Sequence, residues 1–185
     1  VTSVYEGSTA AKAGLKVGDL ILSVDGEKMT ASAPEHYEEL AALIRQYKVG
    51  QKVELGLRRG KKDLKVTVDL AEAPKLAREM KKYRDESFEF TVREVTFFDK
   101  ASEQWKKEQR GVLVDQVKPG GWASLGQLRA SDLIVEVDGK EIVDAAAMEA
   151  EMQLLTKAQP KVVVFKVLRG IHTLFIELEP KWDSK

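Results

Sequence analysis

Side chains able to do acid–base, nucleophilic or metal chemistry are sparse in this chain and poorly spaced for it. Its two histidines are His36 and His172. One opens a helical pattern, the other sits in a hairpin pattern, and neither stands at a metal-ligand spacing. No Gly-x-Ser-x-Gly elbow or Gly-Asn-Ser-Gly-Gly-like nucleophile segment occurs. A Ser-His-Asp triad is assembled by geometry rather than by motif, but His36 reads as a solvated first-turn residue. Thirty acidic residues bring carboxylates together by chance, mostly on solvated faces. The absence of cysteine excludes disulfides and thiolate metal sites. Arg58-Arg59-Gly60-Lys61-Lys62 is a basic run without interleaved aromatics, in a chain of formal net charge +0. It reads as a solvated hairpin tip, and nucleic acid is not an expected partner. No catalytic residue, metal or cofactor is assigned.

The elements that would position any site appear twice. Val1–Met29 lies over Val114–Ile142 without a gap, at an offset of 113 residues. Val1, Val4, Gly7, Ala10, Leu15, Asp19, Leu20, Ile21, Val24, Asp25 and Gly26 all recur in the second copy. That offset is the size of a small domain and too long for a solenoid repeat. With 43% apolar and 32% charged residues the chain has an ordinary globular composition. No apolar run approaches the ~20 residues of a membrane-spanning helix. There is no signal-peptide pattern, and the opening inside a strand-like alternation reads as an excised fragment.

In the first copy, Val1–Tyr5 alternates as a strand, Gly7-Ser8-Thr9 turns into a short helix, and Leu20–Val24 is a strand closed by the turn pair Asp25-Gly26. Pro34 suits the first turn of a helix that carries Leu40, Leu43, Ile44 and Tyr47 on one face and ends at Gly50. Lys52–Leu57 and Leu64–Leu70 form a hairpin, with Val53, Leu55, Leu57, Leu64, Val66 and Val68 inward. Residues 71–86 are expected to be a helical linker, because Leu76, Met80 and Tyr83 share one helical face and Gly and Ser runs are absent. In the second copy Gly111–Val117 and Leu133–Val137 are strands. Asp144 N-caps a helix over Ala145–Leu155, and Val162–Leu168 with Leu174–Leu178 repeats the hairpin. Trp105 lies in an amphipathic insert, Asp99–Arg110, either packing it down or meeting a partner. Trp122 starts the short helix and is expected to be partly buried.

Val1-x-x-Val4-x-x-Gly7-Ser8-x-Ala10-Ala11-x-Ala13-Gly14-Leu15-x-x-Gly18-Asp19-Leu20-Ile21-x-x-Val24-Asp25-Gly26 resembles a PDZ domain, of the bacterial kind attached to HtrA/Deg serine proteases. Gly111-Val112-Leu113-Val114-x-x-Val117-x-Pro119-Gly120 and Asp132-Leu133-Ile134-x-x-Val137-Asp138-Gly139 carry the same resemblance in the second copy. It implies an α+β, mainly β fold: two partly open β-barrel-like domains, each flanked by two helices. The expected domains are 1–70, which lacks its N-terminal groove strand and carboxylate loop, and 87–180, with the linker 71–86 between them. The resemblance also implies a groove between one strand and the long helix, where a peptide adds as an extra strand. An apolar-Gly-apolar loop before that strand holds the peptide's terminal carboxylate on backbone N–H groups.

By that resemblance the second-domain loop is Phe88-Glu89-Phe90, and Thr91 and Val92 begin the groove strand. The alternative reading of Phe88 and Phe90 is as core residues of an edge strand. Glu89 departs from glycine: it resists positive φ, and its charge at ~5 Å from a ligand carboxylate costs of order 1 kcal/mol in a wet site. Lys81, Lys82 and Arg84 are positioned to offset it, and weak capture of free C-termini or binding of internal segments is expected. Met148 and Met152 are the helix candidates for the groove. Periodicity leaves open whether the face Ala145, Met148, Met152, Leu155 or the face Ala147, Ala150, Leu154 turns to the core. In the first copy the loop and groove strand map before residue 1, either cut off or replaced by another segment across an open edge.

The implied function is a tandem peptide-binding regulatory region of an HtrA/Deg-type serine protease, itself without catalysis. Its implied partners are peptides or unfolded protein segments and an attached protease domain, with homo-oligomers allowed and no membrane insertion. The implied location is the periplasm or cell envelope. The alternatives are a degenerate scaffold for assembly, or the PDZ pair of another envelope peptidase or secretion component.

Overall fold

The computed structural model describes residues 1–29, 37–180 and 182. Pro34 and His36 lie outside the described residues. The chain forms two compact units, Val1–Ala73 and Pro74–Lys185.

The first unit contains helix α1 (Thr9–Lys12), strands β1 (Leu20–Val24) and β2 (Glu27–Lys28), helix α2 (Tyr37–Ile44), and strands β3 (Lys52–Arg59) and β4 (Lys62–Asp69). Its antiparallel sheet runs β2-β1-β3-β4. Ser8 starts α1 by accepting the Ala11 N–H at 3.1 Å. The β3 alternation buries Val53, Leu55 and Leu57 on Val24, Leu15 and Val68. Leu64 and Val66 are half-buried beside them. Leu40, Leu43 and Ile44 pack on this core from α2, and Tyr47 joins them from the turn beyond it.

The second unit opens with β5 (Lys82–Asp85) and β6 (Phe90–Glu94), then α3 (Phe97–Ser102), β7 (Val112–Val117), α4 (Trp122–Leu125), β8 (Leu133–Val137), β9 (Lys140–Glu141), α5 (Ala145–Ala158), β10 (Val163–Arg169) and β11 (His172–Leu178). Its sheet runs β11-β10-β8-β7-β6-β5, with β9 on β8. Neither sheet closes into a barrel. Phe88, Phe90, Phe165, Met148, Met152 and Leu178 are among the residues of one continuous core.

Two devices recur between the units. Asp25-Gly26 and Asp138-Gly139 both have positive φ, 48° and 86° in one and 46° and 80° in the other, the two-residue hairpin turn that matches strand twist. Each aspartate also reaches the strand that neighbours its own in the sheet: Asp25 Oδ1 accepts Glu54 N–H of β3 at 2.7 Å, and Asp138 Oδ1 accepts Val164 N–H of β10 at 2.6 Å. The second device is an arginine clamp on a buried aspartate. Arg59 donates through Nε and Nη2 to Asp19 at 2.7 and 2.8 Å and to the Gly14 carbonyl at 2.8 Å. Arg169 repeats this on Asp132, at 2.7 Å twice, and on the Gln127 carbonyl at 2.9 Å. Arg59 therefore belongs to a bidentate ion pair, not to a free basic tip. Its guanidinium holds Asp19 down at about 2, against the opposing effect of burial.

The expected helix over 71–86 is not formed. Residues 71–76 have no regular structure, Ala77–Glu79 is a single 3-10 turn, and Lys82–Asp85 is a strand of the second sheet. A helix of that length is marginal without a face to bury. The open edge of β6 instead satisfies the backbone of residues 82–85 and lets Tyr83 and Asp85 turn inward.

Candidate functional site

Four pieces make up the region between β6 and α5 where a groove is expected. The first is β6, which pairs with β7 on one side, so that alternation sends Phe90 and Val92 into the core and leaves Thr91 half-buried. Arg93 is anchored by two hydrogen bonds to Asp99, at 2.6 and 2.9 Å. Asp99 also accepts from Thr96 N–H and Oγ1 at 2.8 and 2.7 Å. Burial alone would raise the Asp99 pKa, but Arg93 and Thr96 outweigh it and bring it to about 2. This pair fastens α3 to the groove strand.

The second piece is the loop 86–89. The Phe88 N–H donates to Asp85 Oδ1 at 2.8 Å in a buried setting, and its carbonyl accepts Ala123 N–H at 3.0 Å. Glu89 has φ 60°, the left-handed conformation that glycine adopts without strain. Its carboxylate does not face the groove. It pairs with the Lys118 ammonium and takes the Trp122 backbone N–H, and the Lys118 contact leads the lowering of its pKa. Gly121 makes room for it, since a Cβ there would lie 2.7 Å from Glu89 Oε2. The charge expected to oppose a ligand carboxylate is thus neutralised by Lys118, not by Lys81, Lys82 or Arg84.

The third piece is α5. Asp144 caps it by accepting Ala147 N–H at 2.8 Å. Ala145, Met148 and Met152 are 0% exposed and Leu155 7%, whereas Leu154 is 52% exposed. The methionine face is therefore the core face.

The fourth piece is β5, which lies along the outer edge of β6. Its register pairs Lys82 with Arg93, Tyr83 with Val92, Arg84 with Thr91 and Asp85 with Phe90. It also packs against α5, and Glu149 of that helix acts on the Tyr83 hydroxyl. Tyr83 packs on the core and donates its O–H to Asp85 Oδ2 at 2.8 Å. Burial, with Asp85 and Glu149 nearby, raises the Tyr83 pKa. Burial also raises that of Asp85, against the lowering effect of the Phe88 N–H, the Tyr83 hydroxyl and the Ser87 N–H.

Of the sequence-derived candidates, Phe88, Phe90, Val92, Met148 and Met152 come together in one core with at most 2% exposure. Thr91 sits at the β6 edge under β5, and Glu89 turns to α4. The loop rings are packed: Phe88 lies 6.0 Å from Phe165 and 5.5 Å edge-on from Trp182, and Phe90 5.8 Å edge-on from Phe165. Sequence reading missed β5 as an occupant of this edge. The signal was there in the alternation of Lys82 to Asp85, followed by turn residues and a second alternating run. His172 is exposed, and among the described residues no cluster of three His, Asp or Glu could hold a metal. Trp105 and Trp122 are both half-buried. In the first unit, Leu20 is 58% exposed while its repeat counterpart Leu133, covered by β7, is 0% exposed.

The second unit is an open antiparallel sheet with a long capped helix packed against its edge strands. The chain belongs to the PDZ domain family: PDZ domain models match residues 1–59 and residues 79–168. It is similar to the periplasmic pH-dependent serine endoprotease DegQ of Escherichia coli K12, 30% identical over 178 residues covering 95% of this chain and 35% of DegQ. It is 28% identical to the periplasmic serine endoprotease DegP of the same strain, over 97% of this chain and 34% of DegP. The chain thus spans about a third of the length of these relatives. A solved structure, the HtrA3 PDZ domain bound to a phage-derived ligand, aligns at 22% identity and TM-score 0.39, covering 56% of this chain and 88% of that one. Among the described residues no helix is long and apolar enough to cross a membrane.

Proposed function

We propose that this tandem PDZ region binds peptide strands by addition to the β6 edge of its second domain and acts as the regulatory part of an HtrA/Deg-type serine protease. The observation that carries this reading is the strand already lying on that edge. It runs antiparallel to β6, beside α5, with a carboxylate on the Phe88 N–H. The surface that accepts β5 has the hydrogen-bonding groups and loop N–H that an extended peptide needs. The groove residues are Phe88, Glu89, Phe90, Thr91 and Val92, with Met148 and Met152 supporting them from α5. The relatives' names support a periplasmic setting and a linked protease domain. Peptide binding would act there by shifting the population of domain placements towards the active protease. Unfolded protein segments are the natural ligands of such a site, and oligomer assembly a further consequence of it.

The test is a titration with a C-terminal peptide library, read by anisotropy and by amide shifts along β6. Micromolar binding with shifts at Thr91, Val92 and Glu94 is expected. Binding that leaves β6 unperturbed refutes the assignment of the groove. The burial of Phe88, Phe90, Met148 and Met152 favours one second reading, a scaffold whose groove is permanently filled. That reading expects no peptide binding and β6 amides that exchange only by global unfolding.

A further inference from the structure

Lys82–Asp85 precedes the groove loop directly and uses the same edge that a ligand would use. All four of its residues are in register with β6, and the Glu94 N–H donates to the Lys81 carbonyl at 3.0 Å just beyond them. One strand edge offers one set of N–H and C=O groups, so β5 and an incoming peptide exclude each other. We propose that β5 is an intramolecular pseudo-ligand that gates the second PDZ groove. A peptide enters only when β5 leaves β6, and the peptides best able to replace it carry an aromatic residue two places before a carboxylate. This rests on the peptide-binding reading above.

The chemistry of the occupant defines the ligand class. Asp85 is the β5 residue nearest the loop, and its carboxylate takes the buried Phe88 N–H. A ligand whose terminal carboxylate lies at this end of the groove needs that donor. Two residues earlier, Tyr83 lays its ring on the core and is met from α5 by Glu149. Lys82 and Arg84, on the alternate positions, are exposed, so they set no sequence requirement.

The hold on β5 is local enough to be released. It is four residues long, and only Asp85 is fully buried. Its charged ties outside the core are Lys82 to the half-buried Asp115 and Arg84 to the exposed Glu86, and pairs with an exposed partner add little. The chain leading into it, residues 71–79, is exposed throughout and has no fully buried residue to lose. Short strands at a sheet edge, fed by exposed chain, are drawn from the low-stability end of a fold.

The chain has no cysteine, so Arg84→Cys with Thr91→Cys introduces one cross-strand pair that locks β5 on β6 when oxidised and frees it when reduced. The probe is a fluorescein-labelled peptide of the chain's own residues 81–85, Lys-Lys-Tyr-Arg-Asp with a free C-terminus. Binding at the second groove is identified by amide shifts at Val92 and Glu94. The oxidised protein is expected to bind at least tenfold more weakly than the same protein reduced. Tyr83→Pro, which breaks β5, is expected to bind at least tenfold more tightly than wild type. Equal binding by the oxidised and reduced forms, with shifts on β6 in both, overturns the gate and leaves the peptide-binding reading intact. No binding by Tyr83→Pro, with β8 and β10 amides protected as in wild type, overturns the peptide-binding reading and the gate with it.

Discussion

Truncating Phe88 to alanine separates two roles for the groove loop. Phe88 is 0% exposed, with Phe90, Phe165 and Trp182 rings around it at 6.4, 6.0 and 5.5 Å. A buried aromatic side chain covers roughly 200 Å², about 5 kcal/mol at ~25 cal/mol/Å², an upper bound because the unfolded chain already hides part of it. Core Phe→Ala substitutions cost about 3–5 kcal/mol, and that range is expected for Phe88→Ala. The backbone hydrogen bonds of Phe88, to Asp85 and from Ala123, survive the change. All three tryptophans, Trp105, Trp122 and Trp182, lie in the second unit, so urea unfolding followed by tryptophan fluorescence reports that unit selectively. At about 4 °C per kcal/mol for a domain of this size, the matching fall in Tm is ~12–20 °C. Should Phe88→Ala fail to fold, Phe88→Leu is expected to lose a smaller part of the same term, about 1–2 kcal/mol. A loss below about 1 kcal/mol for Phe88→Ala would mean that the ring is a wall of an open pocket rather than core, and would refute the packing reading of the loop.

Three further outcomes follow from the same geometry. Glu89→Gly relieves a left-handed φ worth about 1 kcal/mol while losing the partly exposed Lys118 pair and the Trp122 N–H contact. The two nearly cancel, so urea unfolding should shift by less than about 1 kcal/mol, and a loss above ~2 kcal/mol would contradict this. Asp19 has a folded pKa of about 2, below its unfolded value of 3.8. Its contribution to stability is therefore present above about pH 4 and lost as pH falls through 2. Carbon-13 NMR titration of its carboxyl should give that midpoint and show it rising in Arg59→Gln; an unchanged midpoint would exclude Arg59 as the cause. Gly126→Ala places a Cβ 2.1 Å from Leu178 Cδ2 and 2.9 Å from the Glu177 carbonyl. It should cost about 1–3 kcal/mol in calorimetry, more than Gly7→Ala, whose Cβ meets nothing within 4 Å and whose cost is conformational alone.

Much of the second unit was legible because its signals are local or periodic. Asp144 before an alanine-rich helix announces an N-cap, and Asp138-Gly139 between alternating runs announces a hairpin turn. The apolar alternation of Phe90 and Val92 places those side chains on one face of β6, whereas Phe88 joins them only through the left-handed turn at Glu89. The charge of Glu89 was legible too, but its direction was not, since Lys118 and Gly121 reach it only after β6 and β7 have paired. Likewise Arg59 looks like part of an exposed basic run until the fold brings Asp19, 40 residues away, beneath it.

The sequence by itself determined that one domain occurs twice, where its Asp-Gly turns and closing hairpins fall, and which family it resembles, because a repeat in register and short-range backbone preferences survive without tertiary context. It did not determine that Val1–Tyr5 forms no strand or that Lys82–Asp85 forms one. The tertiary structure alone decided the face of α5 that enters the core and the fate of residues 71–86. A spacing such as Leu76, Met80, Tyr83 suits a helix, yet an isolated helix of that length has nothing to bury that face against. The free edge of β6 supplies hydrogen bonds and a core for Tyr83 at once, and that edge exists only in the assembled sheet.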